Sequence, residues 1–186
     1  MEGGEEEEES TTTFEPPPEG VQVDVEFSVL DGWTEHLRQP YSSTLSREGD
    51  ELVPTDAEYV CLGAVDNTTG KIILCAFGKT SEVFKVTSDN GTTEHNGVFF
   101  YRQHGSSCGF APTSSISLGA ADTTDYGDDK RLSWHLANGG GWRAGSNTGL
   151  DSSSEIDRSV RQECETMTEM SESEEPVTSE SQMGEY

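Results

Sequence analysis

The chain has 186 residues, with 36 acidic against 11 basic side chains and a formal net charge of −25. That balance argues against nucleic acid as a partner, since phosphate contacts need clustered lysine and arginine to release counterions, and it opposes binding to anionic lipid. The longest unbroken apolar run, Ile72–Phe77, falls far short of the roughly 20 residues a membrane helix needs.

The acidic excess gathers at the ends. Residues 1–20 hold eight glutamates and residues 164–186 hold seven, with no lysine or arginine in either segment. Repulsion without apolar surface to bury leaves both ends expected to be disordered. Residues 21–163 are then expected to form a single β-rich domain. The opening Met-Glu-Gly-Gly and five glutamates are the opposite of a basic and then apolar leader, so an intracellular, cytoplasmic location is expected. Cys61, Cys75, Cys108 and Cys164 are then expected as thiols.

In chain order, Val21–Leu30 alternates apolar Val21, Val23, Val25, Phe27 and Val29 with polar residues, the period of a half-buried strand. Trp33–Gly49 stays open: Trp33, Leu37, Tyr41 and Leu45 fall at helical steps, but Pro40 and a Ser/Thr cluster oppose a long helix. Residues 58–77 read as a hairpin around Asp66-Asn-Thr-Thr-Gly70. Pairing Val65 with Lys71 sets Val60, Leu62 and Ala64 opposite Ala76, Leu74 and Ile72. Tyr59, Cys61 and Gly63 then oppose Phe77, Cys75 and Ile73. Both faces are apolar, so layers must cover both sides.

Further strands are expected at Glu82–Ser88, at Thr92–His95 between the turns Asn90-Gly91 and Asn96-Gly97, at Val98–Arg102, at Ser115–Leu118 and at Arg131–Leu136. Ser152 and Glu155 resemble a capping box, and Ile156, Val160, Cys164 and Met167 would share one helical face, with Asp157 and Arg161 paired opposite. The expected fold is mainly β: an antiparallel β-sandwich (jelly-roll-like) or flattened barrel of about seven to nine strands, with one short C-terminal helix.

Several constellations could carry chemistry. Gly105-Ser-Ser107-Cys108-Gly109 has the nucleophile-elbow spacing, and His104 and His135 are candidate bases for Ser107 or Cys108. Pro112 follows too soon for the helix that motif requires, so the match is weighed as coincidental. Gly139-x-Gly141-x-x-Ala144 matches a dinucleotide fingerprint without its βαβ unit. Asp122, Asp125, Asp128 and Asp129 could offer oxygen ligands to Ca²⁺, although their order is not that of an EF-hand. Trp142, Arg143, Arg102 and Tyr126 are the aromatic and planar cationic side chains typical of ligand contacts.

The leading expectation is a non-catalytic binding module, recognising a protein segment or a glycan through the loops of a β-sandwich. A small hydrolase and an acidic cation-binding or scaffold protein are the alternatives.

Overall fold

The computed structural model describes residues 15–136 and 141–164. Most of the two acidic ends expected to be disordered, together with Gly139 and Met167, lies outside the described residues. The described chain is a mainly β, antiparallel sandwich, and its eleven strands exceed the expected number. In chain order they are β1 Gln22–Val25, β2 Trp33–Pro40, β3 Tyr59–Asp66, β4 Ile72–Lys79, β5 Thr93–His95 and β6 Val98–Arg102. β7 Ser107–Ala111, β8 Leu132–His135, β9 Gly141–Ala144, β10 Asn147–Thr148 and β11 Ile156–Glu163 complete the set. One sheet runs β1-β4-β3-β11-β2 and the other β10-β9-β8-β7-β6-β5.

The core lies between the sheets. Val60, Leu62, Ala64, Leu74, Ala76 and Val160 of the first sheet pack in one cluster with Phe100, Cys108, Phe110, Leu132, Trp134 and Ala144 of the second. Alternation along each strand sends these side chains inward. Tyr41, just after β2, ties the layers with hydrogen bonds: Trp134 Nε1 donates to its hydroxyl at 2.9 Å, and the hydroxyl donates to the Arg143 carbonyl at 2.9 Å.

The β3–β4 hairpin forms as expected, with its register moved by two residues. Leu62 faces Ala76 rather than Leu74, and Cys61 faces Phe77 rather than Cys75. A shift of two preserves the faces. A bulge after Ala64 is what turns Ile72 outward, where it joins Cys61, Val65, Cys75 and Phe77. That outer face is covered by Val25, Phe27, Val29, Leu30 and Trp33, with the Trp33 and Phe77 rings 5.1 Å apart. The expected first strand therefore stops at Val25, and Phe27–Leu30 forms a 3-10 turn laid over the sheet.

One open segment is settled and three other expectations are corrected. Trp33–Pro40 is strand, and a bulge in its pairing with β11 lets Trp33 and Leu37 reach opposite faces. Glu82–Ser88 is not a strand: Thr80–Val83 is one helical turn, α1, which brings the consecutive Val83 and Phe84 into the same core. Ser115–Leu118 contributes a single bridge, Leu118 to Asp122.

The expected C-terminal helix is β11, a central strand paired to both β2 and β3. Asp157 and Arg161 do not pair with each other. They reach across to β2, where Arg38 meets Asp157 at 2.8 Å and Arg161 meets Glu35 at 3.2 Å. Pairing on both edges gives this segment two ladders for its backbone groups, a gain that a four-residue apolar stripe cannot match. Among the described residues no helix is long and apolar enough to cross a membrane.

The sandwich buries several weak acids in neutral form. Burial pushes the Cys108 thiol from 9.0 up to about 12 and raises the Tyr41 and Tyr101 phenols above their ordinary 10.0. It also raises the Cys61 thiol, assisted by a hydrogen bond with Cys75. The unfolded chain releases these protons first, so their contribution is intact below about pH 9 and is lost as pH climbs towards the folded values. The urea midpoint is expected to hold steady below about pH 9 and to fall above it; a midpoint that rises over that alkaline range would contradict the neutral burial of these groups.

Candidate functional site

Several of the candidate residues lie at the outer face of the second sheet. Cys108 and Phe110 of β7 point into the core, so Ser107 and Gly109 face outward. On that side Tyr101, Ala111 and Ile116 form a small cluster with Leu118 against it. Gly109 leaves room for the Tyr101 side chain to cross β7, and its hydroxyl donates to the Leu132 carbonyl at 2.9 Å. The long β7–β8 connection folds back over this face as a cap.

Two arginines hold the cap down. Arg131 donates from Nη1 to Asp122 Oδ2 at 3.1 Å and to the Ser115 carbonyl at 3.0 Å, and from Nε to Asp128 Oδ2 at 2.8 Å. Arg143, on β9, is fully buried. Its guanidinium donates to the carbonyls of Thr124 at 2.7 Å, Asp125 at 3.0 Å, Asp128 at 3.1 Å and Gly145 at 3.0 Å. Burial pulls its pKa below the ordinary value, with Asp122 opposing. The segment closes on itself as well: Asp122 Oδ1 accepts from Thr124 N at 3.0 Å, and Asp122 N donates to Ser133 Oγ at 3.1 Å.

This arrangement redistributes the expected roles. Asp122 and Asp128 face a guanidinium, so Arg131 would have to leave before both could turn to Ca²⁺. Asp125 accepts from Gly127 N, and Asp129 is exposed. Among the described residues no group of three or more His, Cys, Asp or Glu is placed to hold a metal ion.

Trp142 and Arg143, expected to act together on a ligand, stay in contact but differ in exposure. Arg143 turns inward, while Trp142 is half-buried at the surface, its ring 5.8 Å from the Arg143 guanidinium. Tyr126, on the cap, is 57% exposed and packs against Trp142 with ring centroids 5.7 Å apart and planes tilted by 51°. Arg102 is also inside. It donates to the Glu48 carbonyl at 2.7 Å, to Asp50 at 2.6 Å and to the Phe84 carbonyl at 3.2 Å, stapling two loops. Neither guanidinium is presented to a ligand.

The catalytic candidates divide between the two sides of β7. Ser107 lies directly across from His135 in the β7–β8 pairing. His135 Nδ1 is 3.1 Å from Asp151 Oδ1, a carboxylate the sequence reading did not single out. Ser107 nevertheless has no exposed surface, its Oγ has no hydrogen-bond partner, and it sits within a strand rather than at a strand-to-helix turn. Cys108 is in the core against Trp134. His104 lies in the β6–β7 turn, 2.7 Å from Glu48. The four candidates do not converge on an open cleft. Gly141–Ala144 is strand β9, without the turn into a helix that a dinucleotide fingerprint requires.

Four of the seven arginines (102, 131, 143 and 158) are buried, which leaves the surface more acidic than composition alone implies. No family model, curated protein or solved structure matches the chain.

Proposed function

We propose that the chain is a non-catalytic recognition module, a β-sandwich that binds its partner through Tyr126 and Trp142. The observation carrying this reading is the exposure of Tyr126 beside Trp142 on a cap fixed from behind by Arg131 and Arg143. Among the described residues Tyr126 and Val86 are the large hydrophobic side chains left mostly in water. Leaving an aromatic ring mostly exposed on a tethered loop forgoes about 1–2 kcal/mol of burial that a partner could recover. A platform ordered in advance also reduces the entropy lost on binding.

The sealed Ser107 and inward Cys108 weigh against the hydrolase alternative, since a nucleophile must meet its substrate. The three buried thiols suit a reducing, intracellular compartment. Immobilised peptides and glycans probed with the full chain and with Tyr126→Ala test the reading. The partners retained by the wild type are expected to be lost by the variant, while far-ultraviolet dichroism and the thermal midpoint stay unchanged. Retention of the same partners by both proteins would place recognition elsewhere.

A further inference from the structure

We infer that the partner of this surface is a cationic one: an extended peptide segment carrying lysine or arginine, lying across Tyr126 and Trp142 and into the cleft beside them. This rests on the recognition reading above and specifies its ligand. Two rings tilted by 51° at 5.7 Å form adjoining walls, and the negative face of an aromatic ring attracts a cation. Arg143 already lies over the Trp142 ring at 5.8 Å, so the Tyr126 ring is the one left for an incoming cation, and Asp125 and Asp129 on the same loop are exposed. Lys130 offsets part of that charge.

Asp129 also belongs to a neighbouring cleft of about 310 Å³ between β1, the β3–β4 hairpin and the β9–β10 turn. Val23 and Ile73 supply apolar lining, and Asp66 and Asp129 bring carboxylates to it. That combination matches a long basic side chain, whose aliphatic stem prefers apolar surface while its head seeks carboxylate. The cleft's own cation, Lys71, is already engaged by Glu26 at 3.2 Å and Asp24 at 3.9 Å. The net charge of −25 draws a basic segment from a distance, whereas a neutral glycan gains nothing from it.

Fluorescence anisotropy of the full chain with a fluorescein-labelled peptide of alternating lysine and glycine provides the test, with a glutamate–glycine peptide as control. The lysine peptide is expected to bind in a salt-sensitive manner and the glutamate peptide not at all. Tyr126→Ala is expected to weaken binding about tenfold and Asp129→Asn about threefold, with both variants folded by far-ultraviolet dichroism and thermal midpoint. Equal binding of the lysine peptide by wild type and both variants would overturn the inference, since attraction to net charge alone would then explain it. If Tyr126→Ala leaves lysine-peptide binding intact yet abolishes capture of uncharged glycans, the cationic partner is wrong and the recognition surface stands. If Tyr126→Ala alters neither, both fall.

Discussion

Arg143→Leu is expected to lower the unfolding free energy by about 3 kcal/mol or more, although it adds an apolar side chain to a buried position. The guanidinium serves four carbonyls, three of them on the cap, at 2.7 to 3.1 Å. Leucine leaves those oxygens without a donor in a space that water enters only if the cap lifts. Arg143→Lys is expected to fall between wild type and leucine, because an ammonium group cannot reproduce a planar fork that engages four acceptors. Urea denaturation of the three proteins reads the order directly. A leucine variant as stable as wild type would show that the cap is held by other contacts.

Gly109→Ala is expected to be severely damaging for the addition of a single methyl group. A Cβ there would overlap the Leu132 carbonyl oxygen and approach the Tyr101 hydroxyl to 2.8 Å. Both neighbours are fixed, one in the β8 ladder and the other by its hydrogen bond to that same carbonyl. Relief requires moving β7 away from β8, at a cost of about 4 kcal/mol or more, enough to abolish folding in a domain of ordinary stability. Gly119→Ala is the matched control: nothing lies within 4 Å of the added methyl, so it is expected to change stability by less than about 0.5 kcal/mol. Soluble yield and thermal unfolding distinguish the pair. Comparable behaviour of the two variants would refute the close crossing of Tyr101 over β7.

The two-sided ribbon at 58–77 was legible because apolar residues on both faces demand cover on both faces, and the structure supplies it from β6–β9 on one side and Phe27–Leu30 on the other. Its exact pairing was not legible. A bulge after Ala64 depends on where the neighbouring strands lie, which residues 58–77 do not encode. The segment from Ile156 failed for a related reason. Helical spacing of Ile156 and Val160 is compatible with either state, and two flanking strands distant in sequence decided it. Val83 and Phe84 fit the two faces of a strand, and an adjacent apolar pair fits a helical turn equally well.

At the candidate site, residue type was informative and orientation was not. Arg102 and Arg143 have the chemistry of ligand contacts, yet backbone carbonyls from loops far along the chain claim both. The contact of Tyr126 with Trp142 and that of Asp151 with His135 join residues 16 apart, and no local pattern announces them.

Amide hydrogen exchange across residues 122–129 tests most directly whether the aromatic pair stands on a platform fixed in advance. Asp122 N and Thr124 N are bonded to Ser133 Oγ and Asp122 Oδ1, and the segment is pinned by Arg131 and Arg143. These amides are expected to exchange slowly in the wild type, in the range of the neighbouring strands β7 and β8, and to lose that protection selectively in Arg143→Leu. Exchange at the rate of a free peptide in the wild-type protein would mean that Tyr126 is not held beside Trp142, and the recognition surface would have no fixed form.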